Sequence, residues 1–338
     1  MDPTGLYQID MHYYMVFFLA LTSGLDTQVA RNIALASQYI DDNPLTTPVN
    51  TNVNGEVDVY ASITTNQTRL QYYHFMADTL DNKANIHTIM KGNQLNNLYN
   101  AYLNAPSSCA KQSFFGETLH ALADTYSHAK TDDTPYRGVD LGLGIGHGLN
   151  DSDPDYTFNH WGYSVFVNKL FPGSQPNANN GGTYWGTNAG RTLSAKQAMF
   201  DQFTQQTTWS RSSDHDFLSV LETLIEFNKT GESEQYDFSW DDQGNQTRTK
   251  HAEVNHDNVD SINAAFSKKL DILDAALEEM GINVNMKDPA WAYNESLAAD
   301  NRTKALGSLS CDEKNDAGEF KYAGTILPSK ACPRPPNP

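Results

Sequence analysis

Residues 117–128 read ETLHALADTYSH, a stretch without proline or glycine that sets His120, Asp124 and His128 at a strict interval of four. On a helix, side chains four apart lie nearly above one another, so two imidazoles and a carboxylate would project from one side of a single rod. Ionisable groups are expensive to bury unless each finds a partner or a metal. The segment is therefore either a metal site or an ill-suited core, and the rest of the chain must supply what it lacks.

Most of that chain carries helical periodicity. Apolar residues recur at spacings of three and four over residues 13–22, 27–40, 66–80, 84–104, 112–129, 195–229 and 257–280, without sustained strict alternation. This predicts an all-α, multi-helix domain over residues 1–300. Polar connections at 43–56, 131–158, 172–194 and 230–250 separate the helices. Loops this long in a compact domain are usually functional or disordered, and the Asn- and Gly-rich stretch at 172–190 is the candidate for a mobile rim. The helical pattern decays near residue 300, so 301–338 is expected to form an irregular C-terminal extension ending in PRPPNP. There is no internal repeat.

The formal net charge of −18 argues against a surface that grips nucleic-acid backbone by bulk attraction, so no stable nucleic-acid complex is expected. Phosphate recognition would have to be local, through bound cations. The longest apolar run near the start, MVFFLAL at 15–21, is far below the roughly twenty residues of a membrane span. It also makes a poor signal peptide, because the residues before it carry Asp2 and Asp10 and no Lys or Arg. The acidic, Asn- and Tyr-rich composition nevertheless suits a secreted or translocated monomer. Cys311 and Cys332 lie close together in sequence and Cys109 stands alone, which is compatible with one bridge plus one thiol or with three thiols.

Other ionisable residues sit where core is expected. Asp41 and Asp42 close the helix TQVARNIALASQYIDD, where two carboxylates oppose the negative end of the helix dipole unless a cation compensates. A solvated helix end is the ordinary alternative. His74 lies among aromatics in QYYHFM, and Asp10 and His12 precede the apolar helix in IDMHYYMVFF. Each of these, alone, reads equally well as a hydrogen-bonded core residue. The segment GLGIGHGLNDSDPDY adds His147 and Asp151, again four apart, with Asp155 a rival to Asp151. It lacks the ligand register of an EF-hand calcium loop. Together the set offers imidazole and carboxylate donors without thiolate, which favours zinc among the common ions. Eight or so ligands exceed what one zinc takes, so two or three ions are implied, with Asp124 placed to bridge two of them.

The order of these residues carries a family resemblance. His12, the Asp41 of SQYID, the His74 of YYHF, His120 and Asp124 of LHALAD, His128, and His147 and Asp151 of HGLND resemble the zinc-dependent phospholipase C and S1/P1 nuclease superfamily. Within it the chain is most similar to bacterial zinc metallophospholipases C of the Pseudomonas fluorescens type. The resemblance spans about residues 10–155. It implies a helical domain with a metal cluster in a cleft, in which Asp41, His74, His120 and Asp124 hold one zinc, and His128, His147 and Asp151 a second. His12 and the bridging Asp124 would hold a third; His12 is preceded here by a longer segment than in that superfamily, so that either Asp10 supplies the missing oxygen or the site is half-open. The step from Asp124 to His128 is shorter than in that superfamily. The implied activity is hydrolysis of the glycerol-side phosphodiester of phosphatidylcholine or a related phospholipid, at a membrane or micelle surface, with Asp41 orienting or deprotonating the attacking water. A nuclease or 3′-nucleotidase is the alternative within the superfamily, and a non-catalytic metal-binding protein the alternative outside it.

Overall fold

The computed structural model describes residues 9–43, 46–47, 73–74, 94–127, 188–212, 215–230, 235–240, 242, 246–252, 259–306, 320–322 and 325–327. The body they form is all-α. A π-helical segment, Ile9–Met15, runs directly into α1 (Val16–Thr22), followed by α2 (Thr27–Asp42), α3 (Gln94–Asn104), α4 (Ser108–Ser127), α5 (Asn188–Gln205), α6 (Phe217–Lys229), α7 (Val259–Glu279) and α8 (Glu295–Leu306). Two short antiparallel hairpins accompany them, β1 (Gln235–Trp240) with β2 (Gln246–Ala252), and β3 (Phe320–Tyr322) with β4 (Thr325–Leu327). None of the described helices is long and apolar enough to cross a membrane.

The apolar run near the start is the stem of the core. Every residue from 10 to 25 is buried, with Phe17, Phe18 and Leu19 at 0% exposure. A helix apolar on all sides has nowhere to go but the interior. The stem stops where Gly24 takes φ 91°, a backbone that favours glycine. There Leu25 N–H returns to the Ala20 carbonyl at 3.1 Å and Gly24 N–H to Leu21 at 2.9 Å, closing the helix with a Schellman-type cap. Two residues on, the Asp26 carboxylate accepts from Gln28 N–H at 2.9 Å and from Val29 N–H at 3.3 Å, and α2 begins.

Helix α4 occupies the centre of the body. It packs against α2, α3, α5 and α8, and residues 112–125 are all buried. On one side Phe115 meets Tyr102, Phe203 and Trp209 at centroid separations of 4.8, 5.6 and 5.6 Å. On another side α2 comes so close that a methyl group on Gly116 would stand 2.4 Å from the Ile33 carbonyl oxygen and 2.7 Å from Ala36 Cβ. Gly116 lies one turn before His120, and Ser37, also in this contact, lies one turn before Asp41. The absent side chain thus sets the separation of two site residues.

Polar ties join the far end of the chain to this core. Arg302 of α8 donates from Nε and Nη2 to Glu117 Oε1, both at 3.3 Å, and Asn301 Nδ2 donates to Asn32 at 3.2 Å. Asn32 in turn donates to Gln112 at 2.9 Å. Tyr13 donates its hydroxyl to the Trp291 carbonyl at 2.6 Å, so the 281–294 segment is fastened to the first helical turn of the chain. Burial pushes the Glu117 carboxyl up to about 7, even though Arg302 acts to lower it.

The helical pattern differs from the sequence expectation in three places. The run 195–229 is two helices, α5 and α6. Between them Gln206 Oε1 accepts from Trp209 N–H at 3.0 Å, Ser212 N–H donates to the Gly24 carbonyl at 2.7 Å, and Asp216 caps α6 by accepting from Ser219 N–H at 2.9 Å. The connection 230–250 contains the β1–β2 hairpin, whose first strand, QYDFSW, has an aromatic residue at every second position. The body also continues past residue 300, because α8 runs to Leu306 and is held by Arg302. The expected helix at 66–80 falls outside the described residues except for 73–74, and residues 84–93 of the next fall outside entirely. Cys109 is an exposed free thiol, while Cys311 and Cys332 lie outside the described residues.

Two outcomes follow. Gly116→Ala, by forcing α2 and α4 apart, is expected to cost about 1–3 kcal/mol, seen as a lower Tm in thermal unfolding followed by circular dichroism. Glu117 binds its proton more tightly folded than unfolded, so its stabilising contribution is complete below its ordinary value near 4.5 and is lost as pH rises through about 7. Glu117→Gln should therefore flatten the decline of unfolding free energy between pH 4.5 and 7, measured by denaturant titration at a series of pH values, relative to the unsubstituted chain.

Candidate metal centre

Four separate stretches of chain deliver ionisable groups to one point at the end of α2 and α4. The π-helical segment presents His12, which is 2% exposed; the last turn of α2 presents Asp41; the pair at 73–74 presents His74, 2% exposed; and α4 presents His120 and Asp124, at 0% and 3%. A π-helical segment shifts the side-chain register relative to an α-helix and is frequent at functional sites. Here it turns both Asp10 and His12 inward from a segment whose other buried residues are Met11, Tyr13, Tyr14 and Met15.

Asp124 is the hub. Its Oδ1 stands 3.2 Å from His12 Nε2, while its Oδ2 stands 2.8 Å from His74 Nδ1 and 3.4 Å from His120 Nε2. Asp41 Oδ1 approaches the same atoms from the other side, 3.7 Å from His120 Nε2 and 4.0 Å from His74 Nδ1. The His74 and His120 nitrogens are themselves 3.4 Å apart. His12 and His120 lie ring against ring, with centroids 4.0 Å apart.

One proton position can be assigned from chemistry. His74 Nε2 lies 3.0 Å from the Thr46 carbonyl oxygen, which can only accept, so Nε2 carries the hydrogen. In the neutral ring Nδ1 then offers a lone pair, and it faces Asp124 Oδ2, another acceptor. Such an arrangement needs either a second proton or a cation between the two atoms. A ring nitrogen anchored to a carbonyl, with the opposite nitrogen aimed at a cluster of donors, is the usual outer arrangement of a metal-ligating histidine.

The electrostatics agree with that need. Burial acts to lower the basicity of His12 and His74, but the carboxylates of Asp124 and Asp41 outweigh it and both are raised, so without a cation these rings hold protons readily. His120 is pushed down to about 3 by burial, assisted by His12, and remains a neutral donor at ordinary pH. Asp41 is pushed up to about 7 by burial, against the pull of His12 and His74. Its side chain is 16% exposed and that of Asp124 5%, which marks the Asp41 side as the approach from solvent.

The donor set fits a divalent cation. His12, Asp41 and His120 each offer an atom within 4.8 Å of the others, as do His74, His120 and Asp124, and the groups share His120. Tetrahedral zinc with bonds near 2.0–2.1 Å places its ligands about 3.3 Å apart. The separations of 3.4, 3.4 and 3.7 Å among Asp41, His74, His120 and Asp124 are close to that figure, the 2.8 Å contact is shorter and the 4.0 Å contact of Asp41 with His74 longer. Imidazole and carboxylate without thiolate is a donor chemistry that zinc accepts. His120 Nδ1, on the far side of its ring, is buried with no hydrogen-bond partner among the described residues.

Asp10 is not in either group. Its Oδ2 accepts from Lys269 Nζ of α7 at 2.7 Å, both side chains being almost fully buried, so its charge reaches His12 only through space. His128, His147, Asp151 and Asp155 lie outside the described residues, as do the aromatic-containing loops at 131–158 and 172–187.

Three functional partners escaped the sequence reading. The Thr46 carbonyl gives no side-chain signal at all, and Lys269 is one of two adjacent lysines on α7. Tyr293, whose hydroxyl donates to Asp42 Oδ2, sits in a segment without helical pattern. That bond, with Gln38 Nε2 donating to the same oxygen at 3.3 Å, holds Asp42 away from the cluster and leaves Asp41 to face it.

No curated protein and no solved structure matches the chain. The family described as "Family of unknown function (DUF6765)" matches residues 7–305, a span that contains the stem, the five clustered residues, Lys269 and all but the last residue of α8. The chain therefore belongs to the DUF6765 family.

Proposed function

We propose that the chain is a zinc-dependent phosphodiester hydrolase of the phospholipase C type, which binds two to three zinc ions and releases diacylglycerol and a phosphorylated head group from phosphatidylcholine or a related glycerophospholipid. The observation that carries this is the buried Asp124 carboxylate, with its two oxygens turned to different imidazole sets, Oδ1 to His12 and Oδ2 to His74 and His120. A carboxylate that divides its oxygens in this way is suited to bridge two cations. When bound, zinc supplies Lewis acidity towards phosphoryl oxygens and acidifies water from 15.7 to about 7.

The residues divide the remaining work. His74, fixed by the Thr46 carbonyl, and His120, neutral at working pH, present nitrogen donors that need no reorganisation. Asp41, whose side chain is on the more exposed side of the cluster, orients or deprotonates the attacking water. The remaining ligands implied by resemblance, His128, His147 and Asp151 or Asp155, would complete the set. The net charge of −18 suits a substrate whose phosphate is met by local cations rather than by a basic surface. A lipid substrate at a membrane or micelle surface, met by a secreted monomer, accords with this.

Metal content by elemental analysis, paired with assays on phosphatidylcholine micelles and single-stranded DNA, tests the proposal. The expected result is two to three zinc per chain, zinc-dependent release of diacylglycerol abolished by a chelator, and no DNA cleavage. Asp124→Asn should bind about one zinc or fewer and lose activity. Cleavage of DNA but not lipid would make the protein a nuclease, and zinc binding with neither activity would leave a non-catalytic metal protein. An absence of bound zinc would overturn the proposal.

A further inference from the structure

One buried charge pair lies outside the donor set yet acts on it. Lys269 Nζ and Asp10 Oδ2 are 2.7 Å apart, and Lys269 and Asp10 are 4% and 5% exposed. Lys269 also lies over the Phe227 ring, 5.1 Å from its centroid, with Lys196 over the same ring at 4.6 Å and donating to Asn228. A buried ion pair is weak evidence for stability, because desolvating two charges costs about as much as their attraction returns. Its retention here calls for another role.

Its position supplies one. Asp10 and His12 share the π-helical segment, two residues apart, and the other carboxylate oxygen of Asp10, Oδ1, is buried with no hydrogen-bond partner among the described residues. The ion pair therefore ties α7 to the π-helical backbone two residues before His12, and through that backbone it sets where the imidazole stands. Helix α7 packs against both α1 and α6, the helix that carries Phe227.

Resting on the zinc reading above, we infer that Lys269 and Asp10 are positioning residues for His12: the pair holds the π-helical segment so that His12 Nε2 meets the Asp124 side of the cluster, and it tunes the affinity of the metal position that His12 completes. The group His74, His120 and Asp124 does not include His12.

Zinc competition against a chromophoric chelator, performed on the full chain and resolved into successive binding steps, tests this. Asp10→Asn keeps the shape and an oxygen for Lys269 while removing the charge; it should remain folded and weaken one zinc step by about 10–100-fold, leaving the others unchanged. The double variant Asp10→Leu/Lys269→Met separates positioning from stability. Replacing both charges by apolar groups should leave a folded chain of near-normal Tm, again with one weakened step. If both variants bind every zinc as the unsubstituted chain does, the pair is only structural and the inference fails. If the unsubstituted chain binds no zinc, the zinc reading fails first and this inference with it, so the two failures are told apart by the control.

Discussion

The interior of this protein is organised around the neutralisation of Asp124. A carboxylate 3% exposed in the middle of a buried helix is not tolerated alone, and three imidazoles from three parts of the chain converge on it. Each of those imidazoles must be held in turn. His74 is held by a backbone carbonyl, His120 by the helix it shares with Asp124, and His12 by a segment wound as a π-helix. The helices are arranged to satisfy these contacts as much as to bury apolar area.

Close packing transmits that demand outward. The contact at Gly116 sets how far α2 stands from α4, and therefore how far Asp41 stands from His120 one turn further on. The Tyr293 hydroxyl and Gln38 amide then sort two adjacent carboxylates, engaging Asp42 so that Asp41 turns to the cluster. Small distances in the core thus decide the chemistry of a side chain that solvent can still reach.

The part of the site that was legible in the sequence is the part written in local spacing. His120 and Asp124, four apart in a helix with no breaker, announced a shared face, and Asp41 at the unfavourable end of a helix announced a missing counter-charge. His74 was legible as a residue but not in its tautomer, because the Thr46 carbonyl that fixes it leaves no mark in composition. Asp10 was expected to give an oxygen to a metal, and only the fold shows it facing Lys269, since no local rule links positions 259 apart. Helix α8 was illegible for a different reason. Its sequence, ESLAADNRTKAL, has little apolar stripe, and it is held instead by the polar contacts of Asn301 and Arg302. The β1–β2 hairpin hid in a polar stretch whose alternation lasts only six residues.

The tie between Tyr13 and the Trp291 carbonyl, together with that between Asp10 and Lys269, has a consequence for the order in which the molecule is made. During synthesis the stem must wait for some 259 further residues before Asp10 meets its counter-ion. Contacts of such long sequence separation are closed late and slowly. The His12 side of the cluster is therefore among the last parts of the molecule to mature, and a nascent chain can collapse around α2 and α4 well before it is competent to hold its full complement of ligands.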